Sequence, residues 1–212
     1  TFARRRVFSQ WDGRSRPRIS RMTTGRVEAF SDGVIAIIIT IMVLELRPPH
    51  DITIAGLRPL LPVFGSYVMS YVYIGIYWNN HHHLFHAAQH IDGRCLWANL
   101  HLLFWLSLVP FTTAWMGENH FATWPVALYG IDLLMSGIAY YILVRALLAA
   151  HGNELLANAL GSDFKGKVSI VIYVAAIPLA FVSPLIALAL YILVAITWLI
   201  PDRRIERKIG NE

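Results

Sequence analysis

Apolar residues arrive along this chain in long runs with few polar interruptions. The first run extends from Val27 to Leu46 and stops at Arg47-Pro48-Pro49, where proline removes backbone donors and restricts the residue before it. A second covers Leu60 to Asn80, a third Leu96 to Gly117 and a fourth Phe121 to Val144. A polar, histidine-rich segment from His81 to Arg94 separates the second from the third, and a polar, glycine-containing stretch from His151 to Lys167 follows the fourth. The last apolar stretch, Val168 to Ile200, is too long for one crossing and is interrupted by Ser183-Pro184. It predicts a tight hairpin of two helices of about 16 residues, each reaching roughly 24 Å. Runs of about 20 apolar residues match the ~30 Å of hydrocarbon that a helix has to cross. The pattern therefore predicts an all-α, polytopic membrane protein with six transmembrane helices, the short last pair requiring local bilayer thinning or burial.

Composition supports the same solvent. Hydrophobic residues make up 56% of the chain and charged ones 15%, against about 45–50% and 25% in soluble domains. This argues against a soluble enzyme, a disordered chain or a disulfide-stapled secreted domain, and the single Cys95 has no intrachain partner.

The net charge of +5 is unevenly placed. Arg4, Arg5, Arg6, Arg14, Arg16, Arg18, Arg21 and Arg26 precede or open the first run, with only Asp12 opposing them. No apolar signal-peptide core precedes that run, so residues 1–25 are expected to form a cytosolic arm on anionic headgroups rather than a nucleic-acid arm. The six-helix transmembrane domain is then 26–201 and the cytosolic tail 202–212. Placing the N-terminus inside puts 16 of the 18 basic residues on the inner side, all but Arg47 and Arg58. Both termini are expected in the cytosol. Trp78, Trp97, Trp115 and Trp124 fall where interfacial belts belong, and Trp105 falls mid-span.

Ionisable groups in an apolar span cost roughly 2.5–3.5 kcal/mol each on insertion scales, which makes them functional candidates. The first helix has the densest set: Arg26, Glu28, Asp32 and Glu45. At 100° per residue, Arg26, Phe30, Gly33, Ile37, Thr40, Ile41 and Leu44 share one line, with Asp32 roughly opposite. Periodicity leaves two readings of that line open. It lines a pore with copies of itself, or it belongs to a buried helix whose Gly33 permits close packing and whose Ser31 and Asp32 bond to neighbours.

The string Arg26-x-x-x-Phe30-Ser31-Asp32-Gly33-Val34-x-Ala36-Ile37-x-x-Thr40 resembles the first-helix signature of the transmembrane protein 175 family, endosomal and lysosomal potassium channels with bacterial relatives. Trp78-Asn79-Asn80-His81-His82-His83-Leu84-Phe85 and Pro110-Phe111-Thr112 resemble that family's marks around helices two and three. The resemblance implies a potassium-selective cation leak channel, weakly to moderately selective, in a bacterial inner membrane. It implies a homotetramer with first helices around the pore, no cofactor, potassium as the permeant ion and no P-loop filter; no Thr-Val-Gly-Tyr-Gly string occurs. Carried over by position, Ile37 forms the apolar constriction, Ile41 and Leu44 continue it outward, and Thr40 offers hydroxyls to a partly dehydrated ion. An apolar ring gates by dewetting, and potassium sheds water more cheaply than sodium.

Arg26 and Asp32 then support the pore rather than line it. A buried carboxylate needs donors, and Asn79, Asn80, His81 and His82 are at hand, so a network of Ser31 and Asp32 with His81 or His82 is expected. Glu45 is placed to concentrate cations at the outer mouth, and Asp132 calls for an interhelical or intersubunit hydrogen bond. Two rivals remain. His82, His86 and His90 recur every four residues, a spacing that on one helix face suits zinc or iron in a membrane metalloenzyme. Asp32 and the histidines are also suited to a relay in a proton-coupled transporter, although residues 27–117 and 121–200 show no repeat of the kind common in such machinery.

Overall fold

The structure, a computed structural model, describes residues 23–153, 156 and 164–199. Most of the basic arm and the whole C-terminal tail lie outside the described residues. Among the described residues six α-helices follow one another: α1 (Thr24–Leu44), α2 (Leu61–Ala87), α3 (Gly93–Glu118), α4 (Thr123–Ala149), α5 (Phe164–Leu179) and α6 (Pro184–Leu199), with a 3-10 turn at Ile54–Leu60 leading into α2. Every regular element among the described residues is helical.

Local chemistry sets the boundaries. Asp92 caps α3, its Oδ1 accepting from the backbone N–H of Arg94 at 2.9 Å and of Cys95 at 3.0 Å. Those donors, Cys95 first, hold the carboxyl below the usual carboxylate range. Pro184 opens α6, where its missing donor costs nothing, and the α5–α6 turn falls where Ser183-Pro184 predicts it. One boundary differs from expectation. α2 runs through His81, His82 and His83 to Ala87, because polarity ends an apolar run without ending a helix; His81, Leu84 and Phe85 are buried, the His81 and Phe85 rings stacking at 4.5 Å.

Four helical stretches, including α1, α3 and α4, are long and apolar enough to cross a bilayer, the 3-10 turn and α2 counting as one. The remaining two, α5 and α6, have 16 residues each. They pack on each other and on α4, whereas α1 packs on α2 and α3. The interior accordingly forms two clusters. Ile35, Ile38, Ile74, Leu102, Leu106 and Leu143 centre the first, and Met116, Tyr129, Leu133, Ala176, Ala187 and Tyr191 the second.

Polar groups inside the bundle find one another, as hydrocarbon requires. Ser70 Oγ lies 2.6 Å from Thr113 Oγ1 and 3.0 Å from the Tyr129 hydroxyl. Thr112 donates to Asp132 Oδ2 at 2.9 Å, the interhelical bond that the lone aspartate called for. Beyond the C-terminal end of α4, Asn153 Oδ1 accepts from the backbone N–H of Gln89 and His90, and its Nδ2 donates to the carbonyls of His90 and Leu147. This one side chain ties the α2–α3 loop to α4.

Candidate functional site

α1 has two unlike sides. Val27, Ser31, Ile35, Ile38 and Met42 are buried, on the side that packs on α2 and α3. Arg26, Phe30, Gly33, Ile37, Thr40, Ile41 and Leu44, the line drawn from the sequence, are all exposed. Phe30 is 54% open, Ile37 58% and Leu44 74%. A continuous apolar row of this kind marks a surface that lipid or another protein covers. Arg26 also stands exposed in the first turn of α1, whereas the sequence suggested a buried arginine. The reason is its place on the open line rather than on the packed side.

Within that row the Thr40 hydroxyl donates to the carbonyl oxygen of Ile37 at 2.9 Å. Its proton is turned back onto its own helix, which leaves oxygen lone pairs as what this exposed position offers a cation. Glu45 caps the C-terminal end of α1 and is half-buried. In the following loop, the backbone N–H of Thr53 donates to Asp51 Oδ1 at 2.9 Å and holds that carboxyl below its ordinary range.

The packed side of α1 is held by a buried polar chain. Ser31 Oγ donates to the carbonyl of Val27 at 2.8 Å and accepts from Asn99 Nδ2 at 2.9 Å. Asn99 Oδ1 in turn lies 2.8 Å from His81 Nε2. α1, α3 and α2 are thereby joined through three side chains that are at most 1% exposed. Two further bonds flank this chain: Trp78 Nε1 donates to Asp32 Oδ1 at 3.1 Å, and His82 Nδ1 lies 2.7 Å from Glu28 Oε1.

The expected network of Ser31 and Asp32 with a histidine is thus redistributed. Ser31 reaches His81 only through Asn99, and Asp32 uses the Trp78 indole and neither histidine. One 100° step separates Ser31, aimed between α2 and α3, from Asp32 on the flank of α2. Asn79 and Asn80 give Asp32 no hydrogen bond; Asn80 Nδ2 bonds to the carbonyl of Ile76. Asn99 escaped the sequence reading although its signal was present, a lone amide inside an apolar run that has to find a partner. Glu28, one turn before Asp32, was visible but had no assigned role, and Trp78 was read only as an interfacial anchor.

The metal reading of the histidines loses its geometry. α2 ends at Ala87, so His90 leaves the face shared by His82 and His86, whose rings stack at 6.0 Å. Among the described residues no group of three or more His, Cys, Asp or Glu could hold a metal ion.

A protein of Chryseobacterium sp. (strain P1-3), named as a potassium channel, is 56% identical over 189 residues, spanning 89% of this chain and 98% of that protein. The profile of the family described as "Endosomal/lysosomal potassium channel TMEM175" matches residues 26–110, from α1 through most of α3. The chain belongs to the TMEM175 family. A solved structure titled as a lysosomal potassium-selective TMEM175 homologue from Chamaesiphon minutus superposes with a TM-score of 0.71 at 29% identity, covering 82% of this chain and 95% of that one. The TMEM175 protein of Danio rerio, named an endosomal/lysosomal proton channel, is 25% identical over 63% of this chain and 26% of its own length. TMEM175 proteins are ion channels, so the chain is an integral membrane protein of a channel family and not an enzyme.

Proposed function

We propose that the chain is the subunit of a homotetrameric, potassium-selective leak channel of weak to moderate selectivity, with α1 lining the pore. The observation that carries this reading is the open apolar row on α1, backed on its other side by the buried Ser31–Asn99–His81 chain. Ile37 forms the constriction, Ile41 and Leu44 extend it outward, and Thr40 lies one turn from Ile37 with hydroxyl lone pairs available to an ion. An apolar ring supplies few oxygens in place of lost water, so the ion that dehydrates at lower cost passes more readily. Phe30 and Arg26 continue the row inward, Glu45 draws cations to the outer mouth, and Ser31, Asp32, His81 and His82 hold α1 in place. Both termini face the cytosol of a bacterial plasma membrane, and the basic arm lies on its anionic headgroups.

The test is reversal potential in liposomes or planar bilayers, with the wild type beside Ile37→Ser. A reversal that follows the potassium gradient, and a variant with larger current and weaker discrimination against sodium, agree with the reading. An unchanged current and ion preference in Ile37→Ser overturn the assigned constriction. Crosslinking that yields a monomer instead of four copies overturns the pore. The name of the Danio rerio relative makes proton passage the second reading, and a reversal potential set by a pH gradient at equal potassium selects it.

A further inference from the structure

Away from α1, the ends of α2, α4, α5 and α6 that carry Asn80, Tyr141, Gly166 and Trp198 line a shallow, half-open cleft. From Asn80 down to Tyr73 it spans eight residues of α2, about 10 Å along the helix. Aromatic rings make most of its wall. Its deep end is closed by bonded hydroxyls, Tyr173 donating to Tyr73 at 3.3 Å and Tyr73 to the carbonyl of Tyr191 at 2.6 Å. At its outer end Trp198 Nε1 donates to Ser169 Oγ at 2.8 Å, and Ser169 donates to the carbonyl of Lys165 at 2.9 Å. The slot is therefore greasy along its length and polar at its mouth.

Two exposed basic residues stand near that mouth among the described residues. Arg145 lies four residues beyond Tyr141, one turn further out on the same face of α4, and Lys167 follows Gly166 on α5; both are exposed. No Asp or Glu occurs in α4 after Asp132, in α5 or in α6. The 16-residue helices of the hairpin reach about 24 Å, less than the ~30 Å of hydrocarbon, which brings headgroups closer to the level of these basic residues.

We infer that this cleft binds an anionic phospholipid, one acyl chain lying along the aromatic slot and the phosphate between Arg145 and Lys167. That this lipid belongs to the cytosolic leaflet rests on the orientation proposed above. Occupancy of the cleft does not, nor does it depend on ion passage.

Gly137 provides the test. A Cβ placed there meets only the Tyr77 hydroxyl at 3.8 Å and Tyr173 at 3.9 Å, ordinary contacts, so Gly137→Ala folds with the cleft open and Gly137→Leu fills it. Ile76→Trp fills it from the opposite wall, where Ile76 is half-buried. Native mass spectrometry of the purified full chain in detergent, titrated with dioleoyl phosphatidylglycerol or dioleoyl phosphatidylcholine, reads binding independently of conduction and of leaflet. The expected result is one tightly held phosphatidylglycerol per subunit in the wild type and in Gly137→Ala. Binding falls about tenfold or more in Gly137→Leu and Ile76→Trp. The double variant Arg145→Gln/Lys167→Gln keeps a bound lipid but loses the preference for phosphatidylglycerol. Wild-type binding in both filled variants, each melting as the wild type does, overturns the acyl slot. An undiminished preference in the double variant overturns the headgroup site.

Discussion

His81 Nε2 lies 2.8 Å from the side-chain oxygen of Asn99, and both residues are sealed from solvent in the interior. Asn99 spends its amide N–H on Ser31, so its oxygen is the acceptor and His81 carries a proton on Nε2. His81 Nδ1 is left buried without a partner. Removing the amide takes the Nε2 partner from His81 and leaves Ser31 only its bond to the Val27 carbonyl.

Asn99→Leu is therefore expected to destabilise the purified protein by about 1–3 kcal/mol, the cost of stranding buried polar groups. In a thermal-melting double-mutant cycle, Ser31→Ala should cost much less once Asn99 is already Leu than it does alone. Strict additivity of the two losses would show that the chain is not a coupled unit.

Asn153 holds four backbone groups, on Gln89, His90 and Leu147. Asn153→Ala should free the 88–92 loop, seen as faster amide exchange there, together with a lower melting temperature. Exchange at wild-type rates across Gln89 and His90 would contradict the tie.

The cap at Asp92 gives a pH dependence of definite sign. Its folded carboxyl titrates below the ordinary value of 3.8, so its contribution is fully present above that pH and is lost as acid carries it through the folded value. Exposure of the side chain to solvent keeps the electrostatic part small. Asp92→Ala should lower stability at neutral pH by roughly 0.5–2 kcal/mol, the usual cost of a lost cap, and the gap from wild type should narrow in acid. A gap that widens as pH falls would be the wrong sign.

Two glycines mark close approaches between helices. A Cβ on Gly117 would stand 2.7 Å from the backbone of Val63, and one on Gly130 would collide with the Tyr191 hydroxyl. Gly117→Ala must shift backbone, pushing α2 from α3, and Gly130→Ala must displace the buried Tyr191 ring, so both are expected to lower the melting temperature. Comparable melting for Gly117→Ala and the wild type would refute the first contact.

Helix number and order were legible because each helix leaves a long apolar run, and the break at Ser183-Pro184 placed the hairpin turn. Which residues share the row on α1 was legible too, since a 100° step fixes them whatever packs against them, but that the row stands open was not. Partners were not. That Ser31 meets Asn99, 68 positions away, or that Asp32 takes the Trp78 indole instead of His81, follows from how α1 settles between α2 and α3. The C-terminal end of α2 was hidden for a related reason: His81 reads as a loop residue until Asn99 and Phe85 are seen to enclose it.

The hairpin of α5 and α6 leans on α4 while α1 rests on α2 and α3, and the family profile ends at residue 110, before either hairpin helix begins. A change in the hairpin therefore reaches α1 mainly by way of α4 and of α2, on which α6 also rests through the Tyr73–Tyr191 bond.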